Sequence, residues 1–435
     1  MKAIKARLVW HEGSFQPDAA VLVEGDRIAG VLPAAEVRTP DVEDWDDVAL
    51  IPGTVNAHGH AFQSLLKGIA DDRTFDSWRD DVLYPLSERL THDDIYAGAL
   101  FAFAEALLAG TTTTVDFFYL HDSGNANAER VIRAAREIGI RLVLARAFYD
   151  EDAPTGAPAR YREPTPDAVD RTRALYAGHS DDPLISVQPA PHSLHAAAPE
   201  TVRAALALAH ELDVPCHLHL AEARYERDQI QERHGTTPVR LLSQEGLLNE
   251  RLIAIHAVWM DEEELDLLAE AKVSVVHCPG ANAFLGDGIM SLPEMLQRGM
   301  RVALGPDGGC ANNRQSVFDE MRHASLFAKA RLQSGDALDA ATIFRLGTVN
   351  GGEVLGSRTG EIASGYFADL VAIDLTDLSV QPTGWLDKHL VNSMQPTAIA
   401  KVMVGGEVVV DGGRLTRFDP ADIRARVESV TSRWR

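Results

Sequence analysis

Between residues 51 and 307 the chain alternates eight short apolar runs with longer stretches of helical periodicity. The runs are IPGTVNAH, TTTTVDFF, IRLVLARAF, LISVQPAPH, VPCHLHLAE, LIAIHAVW, VSVVHCP and RVALGPD. Two of the stretches between them carry clear boundary signals. DDIYAGALFAFAEALLAG closes on Gly110, and PETVRAALALAHEL opens with Pro199 in its first turn. Eight strand-then-helix units predict an α/β fold, a closed parallel (β/α)8 barrel of the TIM type. An open doubly wound sheet would normally place a Gly-rich phosphate turn after its first strand. Here His58-Gly59-His60 stands there instead.

The two ends of the chain have a different texture. KARLVW, AAVLVEGDRIAGVLP and DVALIPG in residues 1–52, and YFADLVAIDL and AIAKVMVGGEVVVDGGRLT in residues 365–416, are short β-like runs broken by Gly turns. Neither set could bury its apolar face alone. They are expected to join as one small β-sandwich flanking a barrel over residues 53–364, with 417–435 as a polar helical tail. A length of 435 residues suits a large barrel plus a smaller unit.

With 64 acidic against 41 basic residues, the formal net charge is −23. Such a surface repels phosphate backbones and anionic lipid, so the expected partner is a small molecule, not nucleic acid or membrane. Cys216, Cys278 and Cys310 form no Cys-x-x-Cys pair and are too few for a disulfide framework. Low cysteine use, no apolar run of about 18 residues, and no secretory core in MKAIKARLVWHEG predict a cytoplasmic protein.

Barrels of this kind carry their chemistry at the C-terminal ends of the strands. His58 and His60 end the first run, His192 the fourth, His219 and Glu222 the fifth, His256 the sixth, His277 the seventh and Asp307 the eighth. One histidine beyond a strand is more often a loop or capping residue than a ligand. Six strand ends of eight carrying His, Glu or Asp are harder to read that way. Residues two apart on a strand face the same side, so His58 and His60 can enter the mouth together. A third histidine and a carboxylate complete a cation site with one position left for water. The expected ligands are His58, His60, His219 and Asp307. His217 offers the same pairing with His219, although packing one layer deeper accounts for it more simply.

Glu222, just past the fifth strand, is placed to take a proton from the activated water and hand it to a leaving nitrogen. Its plainer alternative is an exposed charge opening the next helix. His256 can hydrogen-bond the nucleophile or polarise the substrate, or else support the site from behind.

Several motifs follow one another in order: PG-x-VNAHGH at 52–60, PHS at 191–193, HLAE at 219–222, AIHAVW around His256, HCP at 277–279, LGPDGG-x-x-NN at 304–313, FDEMRHAS at 318–325 and GYFADLVAIDL at 365–375. Together they resemble the amidohydrolase superfamily over nearly the whole chain. The resemblance implies one divalent ion, usually zinc and sometimes iron. Binuclear members use a bridging carboxylated lysine, and no lysine lies between Lys67 and Lys272. TTPVRLLSQEGLL, IHAVWM and LGDGI are similar to S-adenosylhomocysteine and methylthioadenosine deaminases and to triazine hydrolases. HAFQ at 60–63 and PHSLHA at 191–196, with LGDGI at 285–289, look like formiminoglutamate deiminase instead. Pro306, Cys278 and Gly309-Cys310-Ala311 depart from both groups.

The resemblance also implies substrate contacts from Arg146, at the end of the third strand, and from Trp78, in the loop after the first. Gln63, His192 and Arg162 are further pocket candidates. A structural ion pair is the plain alternative for Arg146, and simple exposure for Arg162. Relatives are often homodimers. The expected activity is hydrolytic removal of ammonia from an amino-substituted heterocycle or amidine, with Glu222, His256 and Asp307 catalytic. Its rivals are a formiminoglutamate iminohydrolase, a triazine-type chlorohydrolase or N-dealkylase, a two-metal cyclic-amide hydrolase, and a non-catalytic metal-binding protein. The leaving group, the metal count and the presence of turnover separate them.

Overall fold

The structure, a computed structural model, describes residues 1–153 and 156–434. All eight apolar runs form strands: Thr54–Asn56, Thr111–Phe118, Arg141–Phe148, Ile185–Pro191, Cys216–Leu220, Leu252–His256, Ser274–His277 and Val302–Leu304. They pair in parallel and in chain order as two sets of four. Backbone hydrogen bonds join the sets at both seams. The His219 N–H donates to the His192 carbonyl at 3.1 Å, and the Ala57 N–H to the Leu304 carbonyl at 2.9 Å. The strands of such a sheet are covered on both faces, and Thr111–Phe118 is buried at every position, its threonines and Asp116 included.

The helices between them start and stop where local chemistry dictates. His92–Leu108 is opened by a capping box of Thr91 and Asp94. Ala126–Ile138 stops at Gly139, whose φ of +87° places it in the left-handed region that glycine tolerates. Helix Pro420–Thr431 lies at the end of the chain, and Arg433 just after it pairs with Asp94 at 2.6 Å. Among the described residues, no helix is long and apolar enough to cross a membrane.

Strands from both chain ends lie in one nine-stranded sheet. Val48–Pro52 is the joint: it runs parallel to Lys2–His11 and antiparallel to Leu370–Asp374. The hydrogen bonding is therefore continuous from the strands of one chain end to those of the other. This β-rich unit has its own apolar core, including Ile4, Val21, Leu50, Leu370 and Met403. It is tied to the parallel strands through a buried ion pair. Arg141, opening the third strand, meets Asp369 at 2.9 and 3.0 Å. The Asp369 carboxylate also accepts from Thr359 Oγ1 and the Gly405 N–H, so its buried charge is well partnered. Arg141 sits at a strand start, so the unit docks at the N-terminal ends and leaves the C-terminal ends for a site.

Candidate active site

The first parallel strand stops at Asn56, and the Asn56 side chain shapes the turn that carries the two histidines. Its Oδ1 accepts from the His58 N–H at 2.9 Å and its Nδ2 donates to Thr114 at 3.0 Å. His58 and His60 then turn into the mouth with ring centroids 4.8 Å apart. His60 Nδ1 lies 2.7 Å from the Phe117 carbonyl, and His219 Nδ1 lies 2.7 Å from the His192 carbonyl. A carbonyl only accepts, so both Nδ1 atoms carry the proton and both Nε2 lone pairs are free. Among the described residues, neither ring nitrogen of fully buried His58 has a hydrogen-bond partner. Asp307 Oδ1 lies 3.3 Å from His58 Nε2 and 3.4 Å from His60 Nε2.

The candidate ligand atoms of His58, His60 and His219 all lie within 4.8 Å of one another, and so do those of His58, His256 and Asp307. Atoms at this spacing can surround one ion with bonds of about 2.0–2.2 Å. The donors fit a divalent cation for a second reason. Orphaned buried nitrogens are unfavourable unless something accepts their lone pairs. Burial, and for His60 also neighbouring His58, holds these imidazoles down, His60 to about 3. They are therefore neutral and ready to coordinate at neutral pH.

That depression makes the ion-free protein acid-sensitive. Unfolded histidines titrate near 6.5 (about the reference value), whereas folded His60, His195 and His277 titrate at about 3. Protons are taken up on unfolding, so stability present above the unfolded pKa drains away as pH falls from there towards 3. The Tm of chelator-treated protein is expected to drop steadily between about pH 6.5 and about pH 4. A flat profile across that window would contradict this.

Four residues at the mouth hold left-handed backbone without being glycine: Ala221 (φ 52°), His256 (72°), Ala257 (51°) and Asp307 (64°). Each conformation is unfavourable by about 1–2 kcal/mol and persists only under outside constraint. The constraint is visible. The Ala257 N–H donates to the Leu220 carbonyl at 3.0 Å, the Trp259 N–H to Ala221 at 2.9 Å and the Asp307 N–H to His58 at 3.1 Å. Gly305 allows the last approach, because a Cβ there would sit 2.8 Å from His58 N and O. Gly305→Ala is expected to destabilise the protein by about 1–3 kcal/mol and weaken metal binding, read by thermal unfolding and metal titration.

Glu222 Oε1 lies 3.5 Å from His256 Nε2. The Glu222 N–H donates to Glu226 Oε2 at 3.1 Å. Burial, then the charges of Asp287, Asp307 and Glu226, push the Glu222 carboxyl well above the carboxylate range. It holds a proton readily, and a nearby cation acts in the opposite sense.

Above these groups opens a cavity lined among others by His60, Gln63, Trp78, His192, His219, Glu222, His256 and Asp307. Gln63 Nε2 donates to the Tyr119 hydroxyl at 2.7 Å, and Trp78 Nε1 to the Cys310 carbonyl at 3.0 Å. Sequence reasoning missed most of the wall: Arg79, Tyr84, Tyr119, Tyr149, Tyr161, His195 and Tyr225. Tyr119 and Tyr149 sit one residue beyond the second and third strands. An aromatic just past a strand end carries the same positional signal as a histidine there.

Arg146 corrects the expected substrate contact. It is wholly buried, bound to Glu163 at 2.5 and 3.2 Å and to Asn125 at 2.9 Å, and does not line the cavity. Strand side chains alternate; Tyr149 faces the cavity, and Arg146 has the opposite parity. Arg162 does not line it either; its guanidinium donates to the Glu151 and Ala157 carbonyls. His217 faces Gln188 Oε1 at 2.7 Å below the cluster, and His277 is buried outside the cavity lining.

Comparison with known proteins agrees with this geometry. The sequence profile described as "Amidohydrolase family" matches residues 49–409. A 5'-deoxyadenosine deaminase from Methanothermobacter thermautotrophicus is 35% identical, covering 95% of this chain and 94% of its own. A 5-methylthioadenosine/S-adenosylhomocysteine deaminase from Syntrophobacter fumaroxidans is 32% identical over 96% and 93%. An adenosine deaminase from Xanthomonas campestris, solved with bound zinc, superposes with a TM-score of 0.90 at 31% identity, covering 99% and 98%.

Proposed function

The chain belongs to the amidohydrolase family, and we propose that it is a metal-dependent hydrolytic deaminase. It releases ammonia from an amino-substituted heterocycle or amidine. One observation carries this reading: three imidazoles and a carboxylate converge at the floor of a cavity that also holds Glu222 and His256. The deaminase activities of its relatives and the zinc in one of them point the same way. We read the eight strands, residues 53–364, as a closed (β/α)8 barrel, which the seam hydrogen bonds support. The terminal segments 1–52 and 365–416 make the second, sandwich-like unit. Low cysteine content, with all three thiols unpaired, favours the cytoplasm.

His58, His60, His219 and Asp307 would hold one divalent ion, with zinc the first choice. When bound, such an ion supplies Lewis acidity that makes water a nucleophile near neutral pH. The protein's own groups do the rest. Trp78 and the tyrosines stack a flat substrate and exclude water. Asp307 helps draw the proton from the attacking water, and Glu222 receives it. His256 stabilises charge on the tetrahedral carbon centre. Glu222 then delivers its proton to the departing nitrogen, which leaves as ammonia.

A second reading has one observation in its favour. The Arg79 guanidinium lines the cavity, 5.7 to 5.9 Å from the rings of Phe75, Tyr84 and Tyr225. Its Nε and Nη2 are paired with Asp80 and Asp76, so a carboxylate-bearing substrate such as formiminoglutamate would have to compete with them for this planar cation. Both readings are tested by assaying zinc-loaded protein for ammonia release from adenosine derivatives, formiminoglutamate, pterins, oxidised guanines and triazines. Release of ammonia from one class is expected, and its identity chooses between the readings. Release of chloride or amine instead, or no turnover on any of them, would overturn both.

A further inference from the structure

Three imidazoles at this mouth are sorted by what stands behind them. His60 and His219 have carbonyls behind Nδ1. His256 has an amide. Asn282, 1% exposed on the short helix Pro279–Leu285, places its Nδ2 3.2 Å from His256 Nδ1 and 3.2 Å from Asp287 Oδ2. A primary amide nitrogen has two hydrogens and accepts nothing, so it serves both neighbours together. Rotating the amide would set its oxygen against Asp287 Oδ2, two acceptors face to face while that carboxyl is ionised; burial pushes it up to about 7, so the orientation is fixed above neutral pH. Asp287 is itself anchored: its N–H donates to the Asn282 carbonyl at 2.8 Å, and its own carbonyl accepts from Trp259 Nε1 at 2.7 Å.

We propose that Asn282, oriented by Asp287, is a positioning residue that fixes His256 as the tautomer protonated on Nε2. A neutral imidazole that accepts at Nδ1 carries its one hydrogen on the other nitrogen. That nitrogen is the one 3.5 Å from Glu222 Oε1. An N–H has no lone pair for a cation, so His256 donates a hydrogen bond into the cavity and is not a ligand. Its spacing alone would allow it to be one, since it lies within ligand distance of His58 and Asp307. The inference rests on the proposed function for the meaning of this donor, but the tautomer can be read without turnover.

The test uses zinc-loaded protein labelled with 15N-histidine, with the His256 ring signals assigned by their loss in His256→Gln. The expected spectrum has a hydrogen on Nε2 and a bare Nδ1; a hydrogen on Nδ1 would overturn the proposal. Asn282→Asp replaces the amide with a group that demands a hydrogen from Nδ1. It is expected to move the hydrogen to Nδ1 and to lower kcat by about 10–100-fold, while KM and one zinc per chain are kept. Unchanged kcat in a variant that folds and binds zinc would also overturn it. If Asn282→Asp does not fold, the wild-type spectrum decides. Absence of wild-type turnover would sink the deaminase reading and leave the spectrum interpretable, so the two failures are distinct.

Discussion

Glu222→Gln is expected to lower kcat by roughly 10²–10⁴-fold while the protein keeps one zinc per chain and its fold. The substitution preserves shape and removes the one function required of this side chain, exchange of a proton. Glu222 stands apart from the four expected ligands, and its reactive oxygen faces His256 Nε2 at 3.5 Å. Its backbone N–H, held by Glu226, is untouched by the change. The KM should therefore move little. A neutral amide should also suit the folded state better. Burial and surrounding carboxylates raise the Glu222 carboxyl, so in the ion-free protein the folded state takes up a proton that the unfolded chain does not bind, and it is there that the comparison of Tm is made. Removing that demand should leave the Tm equal or higher, the usual relation between a strained functional group and stability. Metal analysis, steady-state kinetics and calorimetry on one preparation check all three. Full activity would remove Glu222 from the mechanism, and loss of zinc would make it a ligand.

The parts of this arrangement legible in the sequence were those set by short-range periodicity. Alternating apolar and helical stretches are a local signal, and each of the eight runs is a strand. Residues at strand ends inherit their position from that count, which is why His58, His60, His219, His256 and Asp307 come together. Parity is more fragile. Arg146 lies two residues inside the end of its strand and Tyr149 one residue beyond it, an odd separation that turns the arginine from the mouth to the surrounding helices. The aromatic wall was illegible for another reason. Tyr84, Tyr161 and Tyr225 come from loops and helix starts far apart in the chain, and no spacing rule links them. The single terminal sheet depends on Val48–Pro52 pairing on both edges, a long-range fact that composition does not encode. Asn282 sits on a seven-residue helix and matters only through what it touches.

His58→Ala should abolish zinc retention and with it all measurable turnover, and added zinc should not restore either. His58 is the common member of both ligand groups, and its ring nitrogens have no hydrogen-bond partner among the described residues to fall back on. Removing it leaves His60 and His219 held by their carbonyls but separated by an empty space where the central donor stood. His217→Ala is the informative control, since its ring faces Gln188 and not the cluster. That variant should keep its zinc and lose stability, because Gln188 would lose its partner in a buried layer. Wild-type protein treated with chelator should behave differently from both. The strands carrying the site are packed and cross-bonded at both seams, so the fold should survive without the ion, unlike a domain whose core is its metal. Its Tm should fall and recover on adding zinc, since an ion present at 1,000 times its Kd contributes about 4 kcal/mol to the folded state. If His58→Ala bound zinc as tightly as the wild type, the ion would have to lie elsewhere, and the convergence at this mouth would need a different explanation.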